Sequence, residues 1–123
     1  MKNKAGSKRG FTLVEIMIVV AIIGMLAAIA TANYARSRQI AQKQACICNL
    51  KQIDGAIEEW ALETRTRAGD PVTYENIRVY LKNAVVCPSG GRSFSDSYQI
   101  TSVDEPPACL RVPEGDYAHK PAL

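Results

Sequence analysis

The hydrophobic pattern of this chain is dominated by one long apolar run near the N-terminus. From Phe11 to Ala32 there are twenty-two residues, and Glu15 carries their one ionisable side chain. As a helix rising ~1.5 Å per residue, such a run extends about 33 Å, which matches the ~30 Å hydrocarbon core of a bilayer. The pattern therefore predicts a membrane-spanning helix over 11–32. A carboxylate inside it is costly and requires a partner.

After Asn33 the apolar run gives way to an amphipathic pattern. Apolar residues recur at spacings of four, three, four and three, which places them on one face of a helix. We therefore predict that the helix continues over 33–64 and buries this face under a globular head. The stripe consists of Cys46, Leu50, Ile53, Ile57 and Trp60.

Residues 65–123 carry the signals of a small head with mixed secondary structure. Gly69 and the Asp70-Pro71 pair predict a loop that ends the long helix, and Thr73 is suited to cap a short helix. Two later stretches have the composition of strands, and residues 113–123 read as loop. The predicted elements are a helix Tyr74–Lys82 and strands Ser93–Thr101 and Ala108–Val112. The predicted fold class is α+β: a long N-terminal helix packed on a small antiparallel sheet of two or three strands.

The basic charge of the chain is concentrated at its start. The formal net charge is +3 at pH 7, and the first ten residues hold four basic and no acidic side chains. Without them the chain has eleven basic and twelve acidic side chains, a net charge of −1. A nearly neutral remainder disfavours a general nucleic-acid binder.

The residues Gly10-Phe11-Thr12-Leu13-Val14-Glu15, preceded by this basic leader, resemble the N-terminal processing motif of type IV prepilins and of the pseudopilins of type II secretion. The resemblance implies that a prepilin peptidase/methyltransferase cleaves between Gly10 and Phe11 and N-methylates Phe11. It also implies that Glu15 faces the charged N-terminus of a neighbouring subunit.

What the resemblance implies for function is a structural subunit of a type IV pilus or pilus-like filament. The alternatives are the major pseudopilin of a type II secretion system and a minor or DNA-uptake pilin. The expected partners are the peptidase, copies of the chain and other pilins, an inner-membrane assembly platform and membrane lipid. The expected segments are a cleaved leader 1–10, a membrane and filament-core half 11–32, an amphipathic half 33–64 and a head 65–123. The head would lie outside the cytoplasm, first on a single-pass inner-membrane anchor and then in a pilus or periplasmic filament.

Two other fates of the N-terminal segment compete with this one. Ala30-Thr31-Ala32 is a small-x-small pattern of the kind that a secretory signal peptidase cleaves. However, the apolar run exceeds the usual ~7–15 residues and contains Glu15. The second alternative is an uncleaved single-pass anchor.

The sequence offers no pattern for catalysis, so we predict that the chain is not an enzyme and uses no cofactor. Four cysteines could in principle bind zinc, but they lack the short C-x₂₋₄-C spacing of zinc sites. Cys46 and Cys48, two positions apart on a helix, project about 200° from each other and cannot both bind one ion. We therefore predict no metal site. His119 is predicted to be a surface or packing residue.

The cysteines instead suggest a disulfide, because an exported head lies where disulfides persist. Four cysteines allow three complete pairings, and the directions of Cys46 and Cys48 exclude a bond between those two. Cys87 and Cys109 lie at the outer ends of the predicted hairpin, so we predict that they pair. The alternative left open is that Cys46 or Cys48 forms a disulfide with Cys87 or Cys109, which would link the helix to the sheet.

Overall fold

The computed structural model of the chain describes Gly6 and residues 9–121. Most of the predicted leader 1–10 and the last two residues of the predicted head therefore lie outside the described residues. The chain folds as two compact units, of which the first ends at Arg36 and the second begins at Ser37. The division into leader, membrane half, amphipathic half and head stays a prediction.

One helix, α1 (Leu13–Thr64), contains 52 residues and runs through both the apolar and the amphipathic patterns. It ends at Thr64, which is also the last residue of the predicted amphipathic half. Arg65 takes a left-handed conformation with φ +52°, and the Thr66 N–H donates to the Ala61 carbonyl at 3.0 Å. Such a left-handed residue satisfies the last carbonyls and stops a helix. Gly69 and Asp70-Pro71 follow only after this stop.

The first unit presents apolar side chains on every side. Ile16, Ile18, Val20, Ile23 and Leu26 all have more than half of their surface exposed. Among the described residues, α1 is the one helix long and apolar enough to cross a membrane. A helix that is hydrophobic all round is stable only when lipid or other helices cover it.

The core of the second unit is built on the predicted stripe of α1. Cys46, Leu50, Ile53 and Ile57 are almost wholly buried, and Trp60 packs against them in a half-buried position. Complete burial of one such aliphatic side chain contributes roughly 1.5–3 kcal/mol. The predicted stripe is thus confirmed as the face of α1 that is buried in the core. The head supplies the other side of the core with Val72, Ile77, Val85, Cys87, Phe94, Tyr98 and Cys109.

The predicted helix over 74–82 is too long. The observed α2 (Tyr74–Ile77) forms a single turn. Thr73 precedes its first residue as expected, and the Asn76 side chain accepts the Thr73 N–H at 3.0 Å. It stops because the Tyr80 N–H bonds the Ile77 carbonyl, three residues back, at 3.0 Å. This tighter turn leads the chain out of the helix.

The predicted strands are also too long, because the first of them starts with a helical turn. In α3 (Phe94–Ser97) the Ser93 hydroxyl accepts the Asp96 N–H at 3.3 Å, and the Asp96 carboxylate accepts the Ser93 N–H at 3.1 Å. This reciprocal capping box favours a helix over residues 94–97.

The sheet that follows is minimal. It consists of β1 (Tyr98–Gln99) and β2 (Ala108–Cys109), which pair antiparallel with Tyr98 opposite Cys109. An isolated antiparallel bridge joins Pro71 and Ser102 beside it. The α+β class and the two-stranded antiparallel sheet are confirmed.

Candidate functional site

The N-terminal processing segment forms the start of α1. Thr12 precedes the helix and Glu15 lies in its first turn. The Glu15 carboxylate accepts the Thr12 N–H at 2.8 Å, and the Glu15 N–H donates to the Thr12 hydroxyl at 3.3 Å. Thr12 and Glu15 thus form a capping box, and the carboxylate complements the positive end of the helix dipole.

The peptide bond between Gly10 and Phe11 lies on an open surface. The Phe11 side chain is 86% exposed, and the space beside the Gly10 α-carbon is empty to 4 Å. Glu15 is exposed as well. Such a segment is accessible to an enzyme and to a neighbouring chain. Cleavage at Gly10, methylation of Phe11 and intersubunit pairing of Glu15 stay predictions.

A second group of chemically active side chains lies in the core of the head. Cys46, Cys87, Cys109 and His119 bring three sulfur atoms and one imidazole nitrogen within 4.8 Å of one another. The Cys87 and Cys109 sulfurs are 3.6 Å apart. His119 Nδ1 lies 3.5 Å from the Cys87 sulfur and 3.6 Å from the Cys109 sulfur. Each of the four residues is at least 96% buried. We call these four residues the Cys₃His cluster.

The four members of the Cys₃His cluster lie on four separate segments of the chain. Cys46 comes from the buried face of α1, and Cys109 comes from β2. Cys87 opens a turn that closes when the Gly91 N–H donates to the Cys87 carbonyl at 2.9 Å. The His119 N–H donates to the Val112 carbonyl at 2.9 Å, which fixes the C-terminal segment across the cluster.

Burial sets the protonation of the cluster. It raises the pKa of the Cys46 thiol. It also raises the pKa of Cys87, where a hydrogen bond from the Ser89 backbone N–H opposes the effect. For His119, burial lowers the pKa of the imidazole, and the nearby charge of Lys43 adds to the effect. Since burial penalises charged forms, the protein alone favours protonated Cys46 and Cys87 thiols and a neutral His119 imidazole.

Polar side chains next to the Cys₃His cluster contact two of its members. The Tyr98 hydroxyl lies 3.6 Å from the Cys46 sulfur and accepts a hydrogen bond from the Asn49 amide at 3.0 Å. The Ser89 hydroxyl lies 3.5 Å from His119 Nε2. These contacts orient the thiol and the imidazole ring. Three thiolates and one imidazole are a donor set that zinc accepts.

The structure brings Cys87 and Cys109 side by side, as the disulfide prediction requires, but as free thiols. Their bond therefore stays a prediction. As expected from helix geometry, Cys46 is buried and Cys48 is exposed. The argument from their opposite directions excludes a site using both, but it does not bear on Cys46 with the other two cysteines.

Sequence reasoning missed the Cys₃His cluster and treated His119 as an isolated residue. The structure buries this histidine against two thiols. The sequence has no short ligand spacing that would indicate a metal site, because the four residues lie at positions 46, 87, 109 and 119. The available signal was the turn sequence Cys87-Pro88-Ser89-Gly90-Gly91, which presents one cysteine at a tight bend.

Comparison with known proteins finds one matching family model and several relatives that match part of the chain. Residues 5–31 match the family described as the prokaryotic N-terminal methylation motif. Over 91 residues the chain is 26% identical to the type II secretion system core protein G of Pectobacterium carotovorum subsp. carotovorum, covering 74% of this chain and 56% of that protein. The protein of the same name from Klebsiella pneumoniae is 36% identical over 56 residues, covering 46% and 40%.

A pilin matches as well. The type IV major pilin protein PilA of Myxococcus xanthus is 51% identical over 45 residues, which are 37% of this chain and 20% of that protein. The chain thus spans about half the length, or less, of these relatives. No solved structure matches it. The chain thus carries the prokaryotic N-terminal methylation motif and is similar, over part of its length, to type II secretion pseudopilins and to a type IV pilin.

Proposed function

We propose that this protein is a structural subunit of a type IV pilus or pilus-like filament, with no catalytic role. The observation that carries the proposal is the first unit of the chain. The methylation motif over residues 5–31 includes the start of a helix whose apolar side chains are exposed on every side. Lipid covers such a surface in the inner membrane before assembly, and helices of other subunits cover it in a filament core.

Processing requires the exposed Gly10–Phe11 bond. A prepilin peptidase cleaves this bond at the cytoplasmic face, because the basic leader stays on that side of the membrane. The new amino group of Phe11 is then methylated and remains positively charged. The head consequently lies outside the cytoplasm on a single-pass anchor.

Assembly depends on the pairing of Glu15 with the Phe11 ammonium of an adjacent subunit. Each charge alone loses its hydration when the helices enter an apolar core, and pairing offsets that loss. In the single chain the Glu15 carboxylate accepts a hydrogen bond from its own Thr12 N–H. A carboxylate has room for further donors, so this bond leaves capacity for the ammonium of a neighbour.

The extent of the matches favours a second candidate, the major pseudopilin of a type II secretion system. The match to core protein G of Pectobacterium reaches into the head, covering 74% of the chain, whereas the match to PilA covers 37%. Long filaments sheared from the cell surface would identify a pilus subunit. A fibre confined to the periplasm would identify a pseudopilin.

Mass spectrometry of the membrane-extracted protein tests the processing step. We expect a mature chain that begins at Phe11 and carries one methyl group on its amino terminus. A mature chain that begins at Asn33 would show cleavage by a signal peptidase instead and would refute the proposal. An intact chain that retains its leader would identify a plain membrane anchor, with the same consequence.

Three substitutions separate the charge of Glu15 from its capping role. Glu15→Leu removes both the charge and the cap, and Glu15→Gln removes the charge but keeps a capping side chain. Thr12→Ala removes the capping hydroxyl and keeps the charge. With each variant as the only subunit present, we expect insertion in all three and filaments with Thr12→Ala alone. Normal filaments with Glu15→Gln would show that charge pairing is not required.

A further inference from the structure

The Cys₃His cluster is more than a place where thiols are packed together. Free cysteine is often buried as a small apolar residue. A buried imidazole is different, because it needs hydrogen-bond partners for both ring nitrogens. Here His119 Nδ1 faces two sulfur atoms at 3.5 and 3.6 Å. Thiols are weak hydrogen-bonding groups, so they compensate poorly for the burial of this nitrogen.

The distances within the cluster fit the edges of a small coordination tetrahedron. Zinc binds sulfur at about 2.3 Å and nitrogen at about 2.0–2.1 Å, so tetrahedral ligands stand about 3.8 Å apart for two sulfurs and about 3.6 Å for sulfur and nitrogen. The Cys87–Cys109 edge measures 3.6 Å, and the edges from His119 Nδ1 measure 3.5 and 3.6 Å. The Cys46 sulfur lies within 4.8 Å of the other three ligand atoms and needs only a small shift to close the tetrahedron.

We propose that Cys46, Cys87, Cys109 and His119 form a structural zinc site in the core of the head. Four protein ligands leave no open position for water or substrate, which distinguishes a structural site from a catalytic one. The thiolate-rich donor set excludes hard cations such as Mg²⁺ and Ca²⁺, which prefer oxygen. Zinc is the divalent ion for which a closed tetrahedral S₃N site is most typical.

Binding is a simple exchange of protons for metal. Three S–H bonds break, three zinc–sulfur bonds and one zinc–nitrogen bond form, and three protons leave to solvent. No electrons are transferred, so no oxidant or reductant is needed. One of these ligands already has a neighbour of the kind that metal ligands commonly have. The Ser89 hydroxyl lies 3.5 Å from His119 Nε2, where it can orient the ring.

The site would tie together the parts of the head that secondary structure holds weakly. The sheet has two residues in each strand, and α2 and α3 are single turns. Small domains of this kind generally need a metal or a disulfide to supplement a limited core. One ion would link α1, the Cys87 turn, β2 and the C-terminal segment. The predicted Cys87–Cys109 disulfide would consume two of the four ligands, so it is the direct rival of the zinc site.

Metal analysis of the full-length protein tests the proposal. The chain is expressed with zinc in the medium, extracted from membranes in detergent without chelators and desalted. We expect about one zinc per chain by elemental analysis. An organomercurial that titrates the cysteine thiols should release that zinc. Replacement by Co²⁺ should give the visible absorption of a tetrahedral cobalt–thiolate complex.

Matched variants identify the ligands. Cys46→Ser should lose the bound zinc, whereas Cys48→Ser, two positions along the same helix and exposed, should retain it. His119→Ala should weaken zinc binding by at least ~10-fold, and His119→Cys should restore it by completing a four-cysteine site. This rescue distinguishes a ligand from a packing residue even if the alanine variant folds poorly.

Three results would overturn the proposal. The first is a wild-type protein that takes up no zinc under reducing conditions. The second is equal zinc binding by wild type and Cys46→Ser. The third is recovery of Cys87 disulfide-linked to Cys109 in peptide maps of the protein from native membranes. None of them depends on filament assembly, so they leave the proposed function unaffected.

Discussion

Gly91→Ala is the substitution for which the structure predicts the clearest loss of stability. A Cβ on Gly91 would lie 2.7 and 2.8 Å from the backbone nitrogen and oxygen of Cys87. These are distances that real Cβ atoms do not adopt. It would also collide with the Ser97 hydroxyl, which could rotate away. The Cys87 backbone cannot yield so easily, because the Gly91 N–H bonds its carbonyl at 2.9 Å.

The expected loss of stability in the Gly91→Ala protein follows from these contacts. Overpacking of a tight site costs about 1–3 kcal/mol, and opening the turn forfeits a hydrogen bond of about 1 kcal/mol. A loss of about 2–4 kcal/mol in a unit of this size lowers Tm by roughly 8–30 °C. Thermal unfolding of the detergent-solubilised protein, followed by near-UV circular dichroism of Trp60 and the tyrosines, measures the shift.

Gly55→Ala is the matched control. Gly55 lies inside α1 with empty space to 4 Å around its added Cβ. Alanine there should stabilise the helix by about 1 kcal/mol, because glycine is the poorer helix former. The two glycine substitutions should thus have opposite signs. A Gly91→Ala protein that melts within about 2 °C of the wild type would refute the close approach of the two backbone segments.

Two further predictions concern the core and the pH dependence of the head. Ile53→Ala should destabilise it by about 2–5 kcal/mol because Ile53 is fully buried, whereas Leu62→Ala, 81% exposed on the same helix, should change it by less than about 0.5 kcal/mol. Denaturant unfolding distinguishes the two, and equal losses would contradict the observed face of α1. Hydrogen bonds from the Ser93 N–H, the Ser97 hydroxyl and the Arg92 N–H lower the pKa of Asp96. The carboxylate therefore contributes stability above its ordinary pKa and loses it as the pH falls through the folded value. Asp96→Asn should be less stable than wild type at pH 7, and the difference should shrink below about pH 4; a difference that stays constant from neutral to acidic pH would argue against this role.

The long helix could be predicted from sequence because its signals are local and repeated. The apolar run from Phe11 to Ala32 and the stripe from Cys46 to Trp60 each span several turns, so one misleading residue cannot change the result. The end of the helix at Thr64 agrees with the predicted bound, but its cause could not be predicted from the sequence. Arg65 adopts a left-handed conformation that sequence alone would assign to a glycine.

The secondary structure of the head was harder to predict from sequence because its elements are only two to four residues long. Ser93 and Asp96 have the spacing of a capping box, and that local bond outweighed the strand propensity of the residues around Tyr98. Tertiary contacts, not periodicity, decide where such short elements begin. Periodic patterns need more residues than these elements contain.

The Cys₃His cluster was beyond sequence reasoning for a different reason. Its ligands are brought together by the return of three head segments to one face of α1, and their sequence separations bear no relation to their distances in space. Cys87 and Cys109 were predicted to be neighbours because a hairpin joins them. Cys46 and His119 complete the group only through packing against that hairpin.

The exposed position of Cys48 makes it possible to label this protein selectively at one cysteine. Of the four cysteines it alone has its thiol at the surface of the described structure, and the other three are buried. A maleimide dye or spin label should therefore react with the folded, detergent-solubilised chain at this one position. Because Cys48 lies on α1, probes attached there would report distances between the helices of neighbouring subunits. Filament architecture could then be measured by fluorescence or electron paramagnetic resonance without introducing a cysteine.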